Sequence, residues 1–370
     1  MRKILIVGAG QSGLQLALGL QSKGYEITLM SNRTSDEIRG GRVMSTQCMF
    51  HTALDHERDL ELNFWEERAP RVEGLGVSVA GPPASEGRAH PRVIDWVGRL
   101  DGHAQSVDQR IKMAGWMETF EQRGGQVVIH GAAVSDLDVL DRKYDLALVA
   151  AGKGELVSLF GRDAARSPYD NPRRALAVAY VHGLGPRPEH PGLEAVRCNL
   201  VPGVGELFVM PALTTTGRAD ILFWEGVPGG PADVFQGITD PSEHLARVLE
   251  LMERFTPWEY ARATKVELTD AGGTLSGGYA PTVRNPIGRL PAAGWSWASP
   301  MSWWPTTRSP GRAPTPRPNA RRPIWRASSS TATGRSTRSG CGRPSTATGR
   351  PRGMSPSGPT PCWARRRSTS

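Results

Sequence analysis

The sequence predicts an α/β protein: a Rossmann-like domain, an inserted β-rich domain and an irregular C-terminal tail. Three observations carry that expectation. Near the N-terminus an apolar strand runs through a glycine-rich turn into an apolar-faced helix. From about Ala175 to Glu267, strand-like runs alternate with turns rich in Gly and Pro. After residue 294 no lysine, aspartate or glutamate occurs.

Ile4 to Val7 is a continuous apolar run, as expected of a central parallel strand buried on both faces. The turn Gly8-Ala9-Gly10-Gln11-Ser12-Gly13 follows, then a helix whose Leu14, Leu16, Ala17, Leu18 and Leu20 form its apolar face and which ends at Gly24. Tyr25 to Met30 reads as the second strand. In such a unit the first glycine permits the tight bend, the second lets backbone approach a pyrophosphate, and the third lets helix and strand pack closely. Gly8, Gly10, Gln11, Ser12 and Gly13 are therefore candidate cofactor contacts, because the helix N-terminus turns its unpaired amides toward the phosphates. The chain then reads Met30-Ser31-Asn32-Arg33, with no ribose-binding acid, which leaves Arg33 as the candidate for the phosphate or adenosine side.

A helix from about Asp108 to Arg123 places Ile111, Met113, Ala114, Trp116, Met117 and Phe120 mostly at core-facing spacing. Gly124-Gly125 stops it and Gln126 to His130 is the next strand. Asp145 to Gly152 is a further buried strand, and at Gly152 the backbone can again come close to a cofactor. The Rossmann unit is thus interrupted and resumed. In the β-rich part, LAVAYVHGL, GELFVMPAL and DILFWEGV suit an antiparallel sheet, followed by an amphipathic helix from His244 to Phe255.

The formal charge of the 370-residue chain is +9, yet the fourteen arginines after residue 294 leave the first 294 residues at −5. The body therefore offers no basic surface, and no nucleic-acid partner is expected for it. No apolar run approaches the roughly 18 residues of a membrane span, and MRKILIVGAG lacks a cleavable signal pattern, so a cytoplasmic protein with no membrane partner is expected. Cys48, Cys198, Cys341 and Cys362 have no zinc-ligand spacing, and no metal is expected.

Taken in order, the glycine turn, the Arg33 to Arg42 segment, Arg110, the YDLALVAAGKG strand and the β-rich section make residues 1 to 294 resemble the oxygenase component of styrene and indole monooxygenases. These are two-component members of the FAD-dependent monooxygenase superfamily. The resemblance implies a GR2-type FAD fold, with an FAD-binding domain over 1–165, a substrate domain over 166–274 and a return to the FAD domain over 275–294. It also implies FAD supplied in reduced form by an NADH-dependent flavin reductase, O2 as co-substrate, a flavin C4a-hydroperoxide, and oxygen insertion into a small apolar aromatic substrate. A homodimer is left open.

Under the same resemblance Arg42, in Gly-Gly-Arg-Val-Met-Ser, matches the arginine near the flavin, and Arg110 the arginine of the helix that packs against FAD. Ser45 stands where styrene-oxidising members carry an asparagine near the isoalloxazine ring; it is shorter and presents one donor where an amide presents two. Arg42 and Ser45 are the candidate catalytic residues. Leu207, Phe208, Val209, Met210, Leu222, Phe223 and Trp224 are available as apolar walls, although at strand spacing about half of them must face elsewhere.

The superfamily's Gly-Asp, Asp-Pro and Gly-Gln-Gly motifs, expected after about Arg289, are missing from the displayed sequence. Read from the third base of each codon, the stretch that begins at Gly294 permits LVLGIADVVVANDPITGQGSN, which contains them. A frameshift near Pro291 to Gly294 is therefore expected, making 295–370 a frame-shifted tail whose Arg, Pro and Ser bias suits disorder. Gly294 to Pro300 resembles the halogenase motif GWxWxIP but lacks its isoleucine. Two other readings stand beside the epoxidase: a single-component NAD(P)H-dependent aromatic hydroxylase, and a non-catalytic product with a basic, nucleic-acid-binding tail.

Overall fold

The computed structural model describes residues 1–290 apart from Glu86, Asp141 and Lys153, together with the backbone of Ser296–Trp297. Apart from that Ser296–Trp297 backbone, the expected tail, its alternative frame, the halogenase-like segment and the end of the 275–294 return lie outside the described residues. From the N-terminus come β1 (Lys3–Val7), α1 (Gln11–Gln21), β2 (Glu26–Ser31), α2 (Ser35–Arg39) and α3 (His51–Asp59), then the long strands β3 (Val72–Ala80) and β4 (Arg92–Ala104). Helix α4 (Gln109–Gln122), β5 (Gln126–Ile129), α5 (Val134–Leu140), β6 (Leu146–Val149) and α6 (Glu155–Ser158) follow. The second half holds β7 (Ala175–His182), β8 (Ala195–Val201), β9 (Gly205–Thr214), β10 (Gly217–Gly226), α7 (Pro241–Phe255), α8 (Pro257–Tyr260), β11 (Glu267–Leu268) and β12 (Thr274–Gly277).

The smaller sheet is parallel, in the order β5-β2-β1-β6. It is buried on both faces because β1 alternates between two cores. Ile4 and Ile6 pack with Leu14 and Leu18 of α1 and with Met113, Met117 and Phe120 of α4. Leu5 and Val7 pack on the other side with Leu137 of α5 and Leu156 of α6. Helices on both faces of a parallel sheet make this a Rossmann-like, doubly wound unit. Since β2 and β6 flank β1 on opposite sides, strand order reverses at the carboxyl end of β1, where ligands bind in open sheets of this kind.

The larger sheet runs β11-β7-β10-β9-β8-β3-β4, with β12 also paired to β7. It is antiparallel except where β3 meets β8 in parallel, Gly74 opposite Ala195 through Val79 opposite Leu200. β3 and β4 lie within the span 1–165 expected to form the FAD domain, yet they join the sheet of the β-rich section. The insertion is thus made of two separated stretches of chain. Helix α7 covers one face of this sheet: Val248, Leu251, Met252 and Phe255 pack on Leu207, Val209, Leu222 and Trp224. It begins with Asp240 accepting the amides of Ser242 and Glu243, with Pro241 at its first position, a favourable N-terminus.

Candidate functional site

The turn between β1 and α1 meets three different demands with its three glycines. Gly8 has φ +114°, which L side chains rarely adopt, and a Cβ there would lie 2.9 Å from the Ala150 carbonyl oxygen after β6. A Cβ on Gly13 would lie 1.8 Å from the Gly8 carbonyl oxygen, so only glycine lets the helix seat against the turn. Gly10 has ordinary extended backbone and a Cβ there would meet nothing within 4 Å. Among the described residues nothing uses that space. Gly10 caps α1 without any side-chain hydrogen bond, and the first turn, which holds Gln11, Ser12 and Gly13, contains no acidic residue. An anion approaching Gly10 thus meets the positive end of the helix with no carboxylate in that turn to oppose it. This arrangement fits the diphosphate of FAD. Gly152 is exposed just beyond β6, with nothing within 4 Å of its Cβ position, and faces a second open space of about 460 Å³.

Gln11 is buried, and its amide oxygen accepts from Gln109 Nε2 at 3.1 Å, which ties the first turn of α1 to α4. At the end of β2, the Ser31 hydroxyl donates to the Arg33 carbonyl at 2.6 Å and accepts the Arg33 amide at 3.2 Å. That local loop turns the half-buried Arg33 toward Gly41 and the Met44 sulfur.

Residues 40–50 are anchored at both ends. The Val43 amide donates to the Gly272 carbonyl at 2.9 Å, Ser106 Oγ donates to the Gln47 carbonyl at 2.5 Å, and Met49 exchanges two backbone hydrogen bonds with Gln105 at 2.8 and 2.9 Å. Between these anchors Val43 points inward while Arg42, Met44 and Ser45 stand exposed. The structure therefore brings the candidate residues Arg42 and Ser45 onto one segment, free to meet a ligand.

Arg110 sits otherwise than a cofactor contact would. It is 2% exposed. Its Nε and Nη2 donate to Asp108, its Nη1 and Nη2 to Asp270 at 2.8 and 2.9 Å, and Nη1 also to the Gly41 carbonyl at 3.3 Å. The fork's donors are occupied by protein, and the guanidinium clamps α4 to the 270–272 turn and to the segment that carries Arg42. Its hydrogen bonds hold the Asp270 carboxyl below the ordinary range. Nothing in the local sequence marks Asp270 as functional, and the only local signal for Asp108 is its place at the start of α4, where it accepts the Arg110 amide at 2.8 Å.

The seven apolar candidates of the β-rich section divide by strand register. Phe208 opposite Phe223 and Met210 opposite Ile221 share a face with Val178, Tyr180 and Val43. Leu207, Val209, Leu222 and Trp224 are on the other face, under α7. Of the seven, only Phe208, Met210 and Phe223 lie on the side of Val43, Met210 and Phe223 buried in the core there and Phe208 half-buried. On that same face Glu225 lies opposite Glu206, and burial, with Glu206 beside it, pushes the Glu225 carboxyl up to about 7.

Residues 152–262 match the family described as "Styrene monooxygenase A putative substrate binding domain". Two curated relatives, styrene monooxygenase StyA of Pseudomonas sp and of Pseudomonas fluorescens, are each 29% identical over 290 residues, 77% of this chain and 67% of the relative. Among solved structures, the myxobacterial chondrochloren halogenase CndH aligns at TM-score 0.57 with 12% identity, over 80% of this chain and 67% of its own. The flavin-dependent brominase Bmp2 aligns at TM-score 0.52 with 11% identity, over 80% and 71%. At such identities the two structures speak for a shared fold alone.

Proposed function

We propose, for a chain that is styrene monooxygenase-like and an FAD-dependent monooxygenase by that kinship, that it is the oxygenase half of a two-component system epoxidising styrene-like or indole-like substrates. An NADH-dependent flavin reductase is the partner that supplies reduced FAD. The observation that carries this reading is the unfilled N-terminus of α1 at Gly10, next to which Gln11 Nε2 donates to the Met49 sulfur at 3.6 Å, at the end of the segment that exposes Arg42 and Ser45. FAD, bound in reduced form, would supply the two electrons that activate O2, so that one oxygen atom would enter the substrate and the other would leave as water.

The chain's own residues hold and enclose. The first-turn amides of α1 with Gly8, Gly10 and Gly13 receive the diphosphate, and Arg33, held toward Gly41 and Met44, is the candidate for the phosphate or adenosine side. Gly152 leaves backbone open beside the turn. Arg42 and Ser45 face the flavin ring, Arg42 offering a positive charge and Ser45 a single hydroxyl. Arg110 positions that segment through the Gly41 carbonyl and Asp270. Phe208, Met210 and Phe223 present shape without charge, which suits an apolar alkene held by packing and helps to keep water from the reacting atoms.

The experiment is to incubate the full chain with FAD, NADH, an NADH-dependent flavin reductase and styrene, and to measure styrene oxide. Epoxide that requires the reductase is the expected result, with Ser45→Asn altering its yield per NADH. Equal product from NADH without the reductase would instead indicate a single-component hydroxylase, and no oxygenated product with either arrangement would contradict the proposal.

A further inference from the structure

The strands that end the two sheets differ in length. β5 and β6, at the ends of the smaller sheet, have four residues each and β11, at one end of the larger, has two, whereas β4 at its other end has thirteen. β4 pairs with β3 alone, and the Met49–Gln105 bridge lies beyond its last residue. Along residues 93–99, among the described residues, the backbone meets no strand other than β3 and enters no further backbone hydrogen bond. Proteins ordinarily shorten or cover such an edge, since its free N–H and C=O groups are a template for another strand.

Large apolar side chains stand exposed on this edge: Val93 is 59%, Ile94 50% and Trp96 49% accessible. From Ile94 opposite Val79 to Arg99 opposite Gly74 the ladder is regular, with a register shift at each end. Within that run Ile94, Trp96 and Gly98 stand on one face, and Asp95, Val97 and Arg99 on the other. Trp96 leans over Gly98, where a Cβ would lie 3.5 Å from its ring.

We propose that β4 pairs with β4 of a second copy of this chain, antiparallel about a two-fold axis at Val97, so that the larger sheets of the two copies join. A two-fold contact must be self-complementary. An axis at Asp95, Gly98 or Arg99 sets like charges opposite each other, and one at Trp96 sets Asp95 against Val97. Only an axis at Val97 sets Asp95 of each copy opposite Arg99 of the other, and it also sets Trp96 opposite Gly98 and Ile94 opposite Leu100. Asp95 already accepts from Ser78 at 2.6 Å and Arg99 pairs with Glu73 at 3.0 Å, so the charges select the register. Burial of Ile94 and Trp96, together with the backbone hydrogen bonds, drives the association. The contact does not depend on the proposed flavin site.

Sedimentation of the full chain, 40.1 kDa as a monomer, tests this. At about 50 µM the native chain is expected to be a dimer and Trp96→Lys a monomer. Arg99→Asp, which sets like charges opposite each other, should weaken the dimer about fivefold or more. Val97→Cys lies opposite itself in this register, within the roughly 4.4–6.8 Å Cα separation of a disulfide, and should cross-link two copies on oxidation beyond any cross-linking of the native chain. Asp101→Cys, about 27 Å from its counterpart, should not. A monomeric native chain would overturn the interface, as would a dimer unchanged by both Trp96→Lys and Arg99→Asp. Cross-linking at 101 and not at 97 would overturn the register. If Val97→Cys fails to fold, Arg99→Asp, at its exposed position, decides.

Discussion

Arg110 and Asp270 join parts of the chain 160 residues apart, and through them the Arg42 segment is held to the turn before β12. Removing the carboxylate by Asp270→Asn leaves a buried guanidinium short of a partner and should destabilise the protein by about 3 kcal/mol at pH 7. Because the folded pKa of Asp270 is depressed below its usual 3.8, its contribution is present above that value and is lost as pH falls through the folded pKa. Urea unfolding of both proteins should give a full difference at pH 6 that shrinks below about pH 4; a difference unchanged at pH 3 would contradict the assignment. At this scale the sequence was readable where backbone geometry imposes a residue, as at Gly8 and Gly13. It was not readable at Arg110, since the carboxylate that occupies its far side is distant in the chain and nothing near Arg110 announces it.

Strand register decides which side chains are available at the level of the elements. Alternation along β9 and β10 marked both as strands, and period two already required that half of their apolar residues leave the site. Which half required the position of α7. β3 and β4 carry weak signals in the sequence: Gly74 and Gly76 dilute the apolar pattern of β3, charged residues run through β4, and the parallel partner of β3 lies more than a hundred residues further on. The pairing of β9 with β10 also sets Glu206 opposite Glu225. The raised pKa of Glu225 means that folding favours its protonated form, so its contribution is greatest below the unfolded value of 4.5 and fades as pH rises through about 7. Glu225→Gln should therefore stabilise the protein by about 1–3 kcal/mol at pH 8 and by far less at pH 4.5. Equal effects at both pH values would place an ordinary, unshifted carboxyl there.

For the whole molecule, the two sheets divide the work: the parallel one supplies the open helix N-terminus, and the larger one supplies an apolar face and the turn that anchors the Arg42 segment. The similarity to styrene monooxygenase StyA of Pseudomonas sp extends over 77% of the chain. The overall charge would have misled, because the positive total belongs to residues beyond 294 while the folded body is acidic. The most direct test is an FAD titration of the native chain and of Gly10→Ala, with thermal unfolding measured alongside. Among the described residues the new Cβ meets nothing within 4 Å, so the melting temperature should stay within a few degrees, whereas FAD affinity should fall about tenfold or more as the diphosphate is denied its close approach. FAD bound equally well by both proteins would contradict a diphosphate site at Gly10.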